Sequence, residues 1–282
     1  MRPLVVGPFE QIPMQLSIII VSFNARLDLE RCLESLHVSP PAVSHEIIVV
    51  DNASGDGSVE AARRWGDVRV IETGANLGFA RATNVGIRAS SGAFLLLLNS
   101  DTIVGPRALD RLLDRLSQRP DAAVAGPRLV DAEGRAELSF GRMIGPLNEL
   151  RQKRLVRGHD RRLPGISAFV ERVTREEHTP DWVSGACLLV RRADAEAVGL
   201  LDERFLIYTE DVDFCASIRA RGRRILFTPA VEIVHLRGRS VAAAPAAARA
   251  AYRQSRVAFY QKHHPFWAPL LRLFLRLRPA DR

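Results

Sequence analysis

Short apolar runs of strand length alternate with helically spaced stretches through the first half of the chain. These runs predict strands at Leu16–Ser22, Glu46–Val50, Val68–Ile71, Ala93–Leu98 and Ala122–Gly126. They are dominated by Val, Ile, Leu and Ala along their length instead of alternating with polar residues, which is typical of strands covered on both faces. We therefore expect an α/β fold with a mostly parallel central sheet flanked by helices.

Helical spacing of apolar residues fills the gaps between these strands. In the first half it predicts helices at Leu27–Leu36, from Gly57 to Trp65, and at Phe79–Ala89 and Pro106–Leu116. Later strands are predicted at Trp182–Val190, Arg224–Phe227 and Val231–His235, and later helices at Ala193–Val198, from Thr209 to Arg221, and in the last forty residues.

Polar side chains follow the predicted strands at the points where the strands end. Parallel sheets bind ligands at the carboxyl ends of their strands, so we expect these side chains to lie near one site. They are Ser22, Asn24, Asp51, Asn52, Asn99 and Asp101.

The carboxylate of Asp51 ends a buried strand and can accept hydrogen bonds from a base or a ribose. The alternative is a turn-forming aspartate, since Asn52 to Gly57 is rich in turn residues. The sequence has no GxGxxG or GxxxxGK[ST] loop, which weighs against a dinucleotide oxidoreductase and a P-loop NTPase.

Two further acidic segments suggest chemistry. Asn99-Ser100-Asp101 follows an apolar strand, and Asp101 could there bind a divalent cation that bridges to a diphosphate; the alternative is a common turn. Thr209-Glu210-Asp211-Val212-Asp213 places three carboxylates at a helix start. Their repulsion can raise a pKa and so prepare a general base, whereas the alternative is ordinary helix capping by Thr209.

The net charge of +8 comes almost entirely from arginine, since Lys153 and Lys262 are the only lysines. This charge allows nucleic acid, an anionic membrane surface or phosphorylated small molecules as partners. Aromatic residues make up only 6% of the chain, and it carries no helix-turn-helix or RNA-binding signature, so we expect no nucleic-acid partner.

The chain has three cysteines, Cys32, Cys187 and Cys215, which are far apart in the sequence and lie in apolar stretches. This pattern favours buried free thiols over disulfides or a zinc site. We find no pattern of a signal peptide or a membrane span. The expected location is therefore the cytoplasm, with peripheral attachment to the inner face of the cell membrane as an option.

The order of these motifs resembles the family 2 glycosyltransferases of the GT-A (nucleotide-diphospho-sugar transferase) fold, in particular the rhamnosyltransferase-like enzymes of cell-surface polysaccharide and cell-wall biosynthesis. The resemblance spans residues 16–240. It rests on residues 17–24, 49–57, 76–80 with Asn84 and Gly86, 97–101, 185–191, 210–213, and His235 with Gly238 and Ser240.

The resemblance implies a role for each of these positions. Asp51 would bind the uracil or thymine base beside Ser22 and Phe23, and Asp101 would bind Mg²⁺ or Mn²⁺ with His235 as a further ligand. Asp211 would be the catalytic base, Glu210 would orient substrate hydroxyls, and Trp182 and Gly185 would shape the sugar and acceptor pocket. The remaining donor-binding positions would be Asn24, Asn52, Asn76, Gly78, Arg81, Asn99 and Ser100.

The implied reaction is an inverting, metal-dependent transfer of a sugar, with L-rhamnose as the first expectation. The donor would be linked to dTDP or UDP, and the acceptor would be a glycan or a lipid-linked sugar. Two alternatives are a nucleotidyltransferase and a non-catalytic module that binds carbohydrate or nucleic acid. A nucleotidyltransferase normally carries a Gly-rich basic signature near the first strand. This chain has the sequence Ser-Phe-Asn-Ala-Arg there, at residues 22–26.

Residues 1–240 are expected to form the catalytic domain, and residues 141–180, rich in Arg, Gly and Pro, an irregular excursion on the acceptor side. Residues 241–282 are expected to form an amphipathic helical tail with His263 and His264 on its surface. The tail could lie on an anionic membrane or pack on the domain or on a second subunit of a homodimer.

Overall fold

The computed structural model describes residues 14–236 and 245–277, and the motif positions Gly238 and Ser240 lie outside these ranges. The strands are β1 Leu16–Ser22, β2 His45–Asp51, β3 Val68–Glu72, β4 Phe94–Asn99, β5 Thr102–Val104, β6 Ala122–Val130, β7 Phe140–Gly141, β8 Trp182–Val183, β9 Cys187–Arg191 and β10 Arg224–His235. The helices are α1 Arg26–Val38, α2 Ser58–Arg63, α3 Phe79–Arg88, α4 Ala108–Ser117, α5 Pro146–Asp160, α6 Pro164–Val173, α7 Arg192–Ala197, α8 Glu210–Ala220, α9 Pro245–His263 and α10 Ala268–Leu277.

Within the described ranges, eight strands form one central sheet in the order β3-β2-β1-β4-β9-β6-β10-β5. Strands β3, β2, β1 and β4 are parallel to one another, and β6 is parallel to β10. Strand β9 runs antiparallel between β4 and β6, and the short edge strand β5 runs antiparallel to β10. The expected mostly parallel sheet flanked by helices is thus confirmed.

The apolar strands bury both of their faces, as the sequence predicts. Ile18 and Ile20 of β1 point into a core formed with α1 and α4, whereas Ile19 points into a second core formed with α3 and α8. This alternation follows from the two-residue period of a strand, and it requires an apolar residue at every position of a strand covered on both sides. Cys32, Cys187 and Cys215 are buried free thiols, as expected.

Residues 141–180 differ from the sequence-based expectation. They contain two helices, α5 and α6, each of which begins with a proline in its first turn. Helix α5 buries only Gly158, so its apolar residues form no stripe that would announce a helix in the sequence. Gly158 faces Ile166 of α6 so closely that a side chain there would collide with it.

Three further segment boundaries were predicted wrongly. Strand β6 continues to Val130, past its expected end at Gly126. The expected strand at Trp182–Val190 is two strands, because the chain leaves β8 at Ser184 and enters the central sheet only at Cys187. The expected strands around Arg224–Phe227 and Val231–His235 are one strand, β10, with a register shift between Thr228 and Glu232. Pro229 lies in that shift, where a residue without a backbone N–H is tolerated.

The described part of the C-terminal tail packs on the central sheet unit through α9. Phe259 is fully buried in a cluster with Phe205 and Val212, next to the start of α8. His263 and His264, expected on the surface, are only half-exposed. The His263 ring contacts the Asp213 carboxylate at 2.6 Å, and the His264 ring contacts the Ile144 carbonyl at 2.6 Å. Among the described residues, no helix is both long and apolar enough to cross a bilayer.

Replacing Phe259 by Ala tests whether α9 belongs to the cooperative fold. Loss of this buried ring should lower the free energy of unfolding by about 3–5 kcal/mol, measured by urea denaturation. Phe266→Ala is the matched control, because Phe266 is 92% exposed, and it should change stability by less than about 0.5 kcal/mol. Equal stability of the two variants would show that the tail folds apart from the domain.

Candidate active site

A cleft of about 660 Å³ opens where β1 and β4 end, and residues 206–211 form its opposite wall. The sequence reasoning expected a site at this edge, because the carboxyl ends of parallel strands meet there. Of the predicted site residues, the structure places the following on the cleft wall: Phe23, Asn52, Asn76, Gly78, Asn99, Ser100, Asp101, Gly185, Glu210, Asp211 and His235.

Asp51 and Ser22 lie side by side below one end of this cleft, since they are register partners on β2 and β1. Both are buried, with exposures of 2% and 0%. Asp51 Oδ2 accepts the Ser54 N–H at 2.9 Å, but Asp51 Oδ1 and Ser22 Oγ have no hydrogen-bond partner among the described residues. A buried oxygen left in this state costs about 1–3 kcal/mol, so the pair suits a ligand that brings a donor.

Asn52 and Asn76 tie two loops together instead of presenting free amides. Asn52 Nδ2 donates to Asn76 Oδ1 at 2.9 Å, and Asn52 Oδ1 accepts the Leu77 N–H at 2.8 Å. Asn24 has a similar role, because its Oδ1 accepts the Gly55 N–H at 2.8 Å. These amides fix the loops that border the cleft.

Gly78 brings the start of α3 against the opposite wall. Its φ of 82° lies in the left-handed region, and a Cβ atom built on it would lie 2.7 Å from the Leu206 carbonyl oxygen. That same oxygen accepts the Phe79 N–H at 2.7 Å. Only glycine allows this approach, which fastens residue 206 to α3.

Asp101 and His235 meet at the other end of the cleft. Pairing of β5 with β10 places His235 opposite Thr102, and His235 Nε2 lies 3.3 Å from Asp101 Oδ1. The second ring nitrogen, Nδ1, lies 3.2 Å from Oε2 of the buried Glu137. Burial alone would lower the pKa of His235, but its hydrogen bonds to the Asp101 and Glu137 carboxylates outweigh this and raise the pKa to about 9.

Sequence reasoning missed Glu137, which lies in a stretch without any motif and reaches His235 only through the fold. A carboxylate behind a histidine fixes the orientation of the ring, and this is the usual arrangement around metal-binding histidines. Within residues 14–236 and 245–277, no three His, Cys, Asp or Glu side chains are placed to hold a metal by themselves. A cation at Asp101 and His235 would take further ligands from beyond the described side chains, such as substrate oxygens or water.

Glu210 and Asp211 begin α8 at the cleft wall. Asp211 Oδ2 accepts the Gly185 N–H at 2.9 Å, and Oδ1 accepts the Val212 N–H at 2.8 Å. Glu210 is buried, and its Oε2 has no partner among the described residues. Burial, together with the charge of Asp211, raises the pKa of Glu210 to about 8, and burial also raises the pKa of Asp211 above its ordinary value.

The backbone before this pair is strained. Tyr208 and Thr209 both have a φ of 66°, which non-glycine residues rarely adopt. Thr209 does not cap α8, because its side chain makes no capping hydrogen bond and its Oγ1 is buried without a partner in the described structure. Strain of this kind persists where the surrounding structure imposes it, and it is common at active sites.

The third carboxylate of this segment, Asp213, points away from the cleft. It is buried and contacts Lys262 Nζ at 2.8 Å and His263 Nε2 at 2.6 Å, both on α9. The structure therefore separates the acidic segment into a cleft pair, Glu210 and Asp211, and an anchor for the tail.

Five predicted site residues do not line the cleft. Ser22, Asn24 and Asp51 lie next to it, as described above, whereas Arg81 and Trp182 have other partners. Arg81, expected at the donor diphosphate, instead lies 3.1 Å from Glu203 at the protein surface. Its helix turns the side chain outward, while the first turn of α3 faces the loop at Leu206. Trp182 packs beside the Phe259 cluster, and its indole N–H donates to the Arg142 carbonyl at 2.9 Å.

Comparison with known proteins decides the family. The model of glycosyl transferase family 2 matches residues 17–198, which hold the Asp51, Asn99 to Asp101 and Gly185 segments of the cleft. The chain belongs to glycosyl transferase family 2. A relative from Mycobacterium tuberculosis, an N-acetylglucosaminyl-diphospho-decaprenol L-rhamnosyltransferase, is 32% identical over 278 residues, covering 90% of this chain and 87% of the relative. The chain is therefore a glycosyltransferase, and its resemblance to the rhamnosyltransferases is confirmed.

Solved structures agree with this fold. The mannosyltransferase PcManGT from Pyrobaculum calidifontis, solved with GDP-Man and Mn²⁺, superimposes with a TM-score of 0.61 at 18% identity and covers 96% of this chain and 72% of its own. Residues 1–349 of S. aureus TarS, solved with UDP, give a TM-score of 0.57 at 16% identity, covering 88% of this chain and 66% of their own. The GT-A fold expected for this glycosyltransferase is thus confirmed.

The raised pKa of Glu210 predicts how stability varies with pH. In the unfolded chain this carboxyl ionises near 4.5, whereas in the fold it stays protonated until about pH 8. The folded state therefore binds more protons in this window, and its stability falls as the pH rises through it. Glu210→Gln removes this pH-dependent loss of stability. The difference in Tm, variant minus parent, should therefore grow as the pH rises from about 5 to about 9.

Glu203→Gln is the control, because the fold shifts the pKa of Glu203 in the opposite direction to that of Glu210. Hydrogen bonds from Asn84, and the neighbouring Arg88 and Arg81, lower the pKa of Glu203, so its stabilising effect is present above the ordinary glutamate pKa and is lost in acid. This variant should lose stability at neutral and high pH. Parallel pH profiles for the two variants would contradict the burial of an unpaired carboxyl at Glu210.

Proposed function

We propose that this glycosyltransferase transfers L-rhamnose from a nucleotide-diphosphate donor to a lipid-linked sugar, with inversion and with a divalent cation. One observation carries the proposal: the cleft holds a half-buried carboxylate, Asp211, on one wall and the Asp101–His235 pair on another. The name of the relative from Mycobacterium tuberculosis supports both the sugar and a diphospho-lipid acceptor.

The donor base binds at Asp51 in this proposal. A uracil or thymine ring carries an N–H donor that satisfies Asp51 Oδ1, the oxygen that has no partner among the described residues. Ser22 Oγ lies beside it as a second group in need of a partner, and Phe23, 39% exposed at the cleft, can cover the ring. We favour dTDP over UDP because rhamnose is the expected sugar.

Asp101 and His235 would hold a divalent cation together with the donor diphosphate, and His235 would then release the proton that its raised pKa retains at neutral pH. Carboxylate oxygen and imidazole nitrogen are both ligands of Mn²⁺, and Mg²⁺ is usually held by one or two carboxylates plus substrate phosphates. The described residues place no third His, Cys, Asp or Glu side chain at this position. Oxygens of the donor diphosphate would supply further ligands. When bound, the cation neutralises the leaving diphosphate. The solved mannosyltransferase with GDP-Man and Mn²⁺ supports such a cofactor.

Asp211 acts as the general base. Its raised pKa makes it a stronger proton acceptor than an ordinary aspartate, and the Gly185 N–H holds one oxygen in place. The carboxylate takes the proton of the acceptor hydroxyl while that oxygen attacks the anomeric carbon on the face opposite the diphosphate. One displacement inverts the configuration. Glu210 keeps its proton at neutral pH and so can donate a hydrogen bond to a substrate hydroxyl.

A membrane-facing position suits this acceptor. Helix α10 and the residues before it expose Phe266, Leu270, Leu273 and Leu277 beside Arg272 and Arg276, a combination that favours an anionic membrane surface. We infer a cytoplasmic protein attached peripherally to the inner face of the membrane; a homodimer remains a prediction. A nucleotidyltransferase or a binding module is not favoured, because the chain belongs to a glycosyltransferase family.

Asp211→Asn should lower kcat for sugar transfer by at least about 10²-fold, because the amide cannot accept the proton. The dissociation constant for the nucleotide diphosphate, measured by calorimetry, should stay near the parental value. Asp114→Asn, an exposed aspartate on α4, is the matched control and should transfer sugar normally. Near-normal turnover of Asp211→Asn would exclude this residue as the base.

A thermal-shift panel identifies the donor. Ligands that bind only the folded state raise Tm by mass action, so dTDP-rhamnose with Mn²⁺ or Mg²⁺ should give the largest increase. Asp101→Asn should lose the part of the increase that depends on the cation, and Asp114→Asn should keep it. A larger shift with GDP-mannose than with dTDP- or UDP-linked sugars would contradict the proposed base specificity at Asp51.

A further inference from the structure

A second cavity, of about 950 Å³, lies outside the cleft between α5, α9 and α10. We call it the α5–α9 groove. One acidic residue, Glu149, lines it together with six basic residues: Lys153, Arg154, Arg157, Arg249, Arg253 and Arg256. A groove with this charge attracts an anion, and guanidinium groups are particularly suited to phosphate.

Only part of this positive charge is neutralised inside the protein. The nearly buried Glu149 contacts Arg256 at 2.7 Å and Lys153 at 2.7 Å. Arg154, Arg157 and Arg249 are exposed and form no ion pair with a carboxylate in the described part of the chain. The groove thus has a rigid basic floor and three guanidinium groups that are available to a ligand.

Exposed apolar side chains also line the groove. Leu150 of α5 is 48% exposed, and Trp267 and Leu270 at α10 are 50% and 57% exposed. Exposed aromatic and aliphatic side chains next to arginines suit a ligand with an anionic head and a hydrocarbon chain. A free phosphate or a nucleotide would leave these apolar side chains in water.

The groove adjoins the cleft near Tyr208. Ala251 of α9 lines the cleft, and the next residue, Tyr252, lines the groove. The Tyr252 ring packs edge-to-face on the ring of Tyr208, with centroids 5.6 Å apart, and Tyr208 stands two residues before Glu210. Lys153 and Arg256 lie 5.4 Å and 5.7 Å from the centroid of Tyr252 and hold this boundary in place.

We propose that the α5–α9 groove is the subsite for the diphosphate and the first apolar units of the lipid-linked acceptor. Arg154, Arg157 and Arg249 bind the diphosphate, and Leu150, Trp267 and Leu270 contact the chain. The acceptor sugar then extends past the Tyr208–Tyr252 pair toward Asp211. This assignment rests on the proposed function, and it places the acceptor diphosphate away from Asp101, where the donor diphosphate binds.

The test compares two acceptors that share the sugar but differ in the diphosphate. N-acetylglucosaminyl-diphospho-farnesol carries it, whereas octyl N-acetylglucosaminide has an apolar tail without phosphate. In the double variant Arg154→Gln/Arg157→Gln, KM for the first acceptor should rise by about tenfold to hundredfold, the usual effect of losing charge-assisted hydrogen bonds. KM for the octyl glycoside and for the donor should stay near the parental values.

Arg161→Gln/Arg162→Gln is the charge-matched control, since both residues are exposed beyond the end of α5 and do not line the groove. It should leave both acceptors unaffected. Equal weakening of both acceptors by the Arg154 and Arg157 changes, or no weakening of either, would overturn the subsite. A third outcome would also overturn the subsite: Arg154→Gln/Arg157→Gln loses binding to phosphatidylglycerol vesicles but keeps its KM for the farnesyl acceptor in detergent. The groove would then bind the bilayer instead of the acceptor.

Direct binding of farnesyl diphosphate separates this inference from the proposed function. Calorimetry with the full chain should show binding that weakens in Arg154→Gln/Arg157→Gln and persists in the control. If the parent protein binds this probe but transfers no sugar to either acceptor, the proposed reaction fails while the groove assignment stands. If the parent transfers sugar but does not bind the probe, the groove assignment fails and the reaction stands.

Discussion

The carboxylate pair at the start of α8 depends on how firmly the preceding segment is held. Burial opposes the charged forms of Glu210 and Asp211, and the backbone at Tyr208 and Thr209 is strained, so this segment is locally unfavourable. Contacts on three sides hold it: the Phe79 N–H donates to the Leu206 carbonyl, the Ser255 hydroxyl donates to the Ile207 carbonyl, and Lys262 and His263 bind Asp213. Ser255, Lys262 and His263 all belong to α9, so this helix of the C-terminal tail helps to hold the site.

Positive charge in this glycosyltransferase is divided between structure and surface. Some arginines close ion pairs, as Arg81 does with Glu203, and Arg256 is fixed by Glu149. Others, such as Arg154 and Arg157, line a groove whose carboxylate, Glu149, pairs with Arg256 and Lys153 instead. A net charge of +8 therefore indicated an anionic partner without locating it, because composition does not distinguish a paired guanidinium from an available one.

Local patterns carried the prediction of the first half of the fold. Buried parallel strands need apolar residues at every position, so β1, which is Leu16–Ser22 in both prediction and structure, is legible in the sequence. Helix α5 was missed because it buries only Gly158 and so lacks an apolar stripe. The break between β8 and β9, around Gly185, was missed for another reason. One mostly apolar run contains strands of two different sheets, and the spacing of its residues does not show where the chain passes from one sheet to the other.

The sequence by itself determined to within one residue where β1, β2 and β4 end, and hence which polar residues gather at one edge, since strand length and side-chain period are local properties. It did not determine which member of the acidic segment faces the cleft, that Glu137 stands behind His235, or that α9 anchors Asp213. These facts depend on contacts between parts of the chain far apart in sequence, whose partners are chosen by packing and charge in three dimensions. Tertiary structure thus decided the chemistry of the site that the sequence had located.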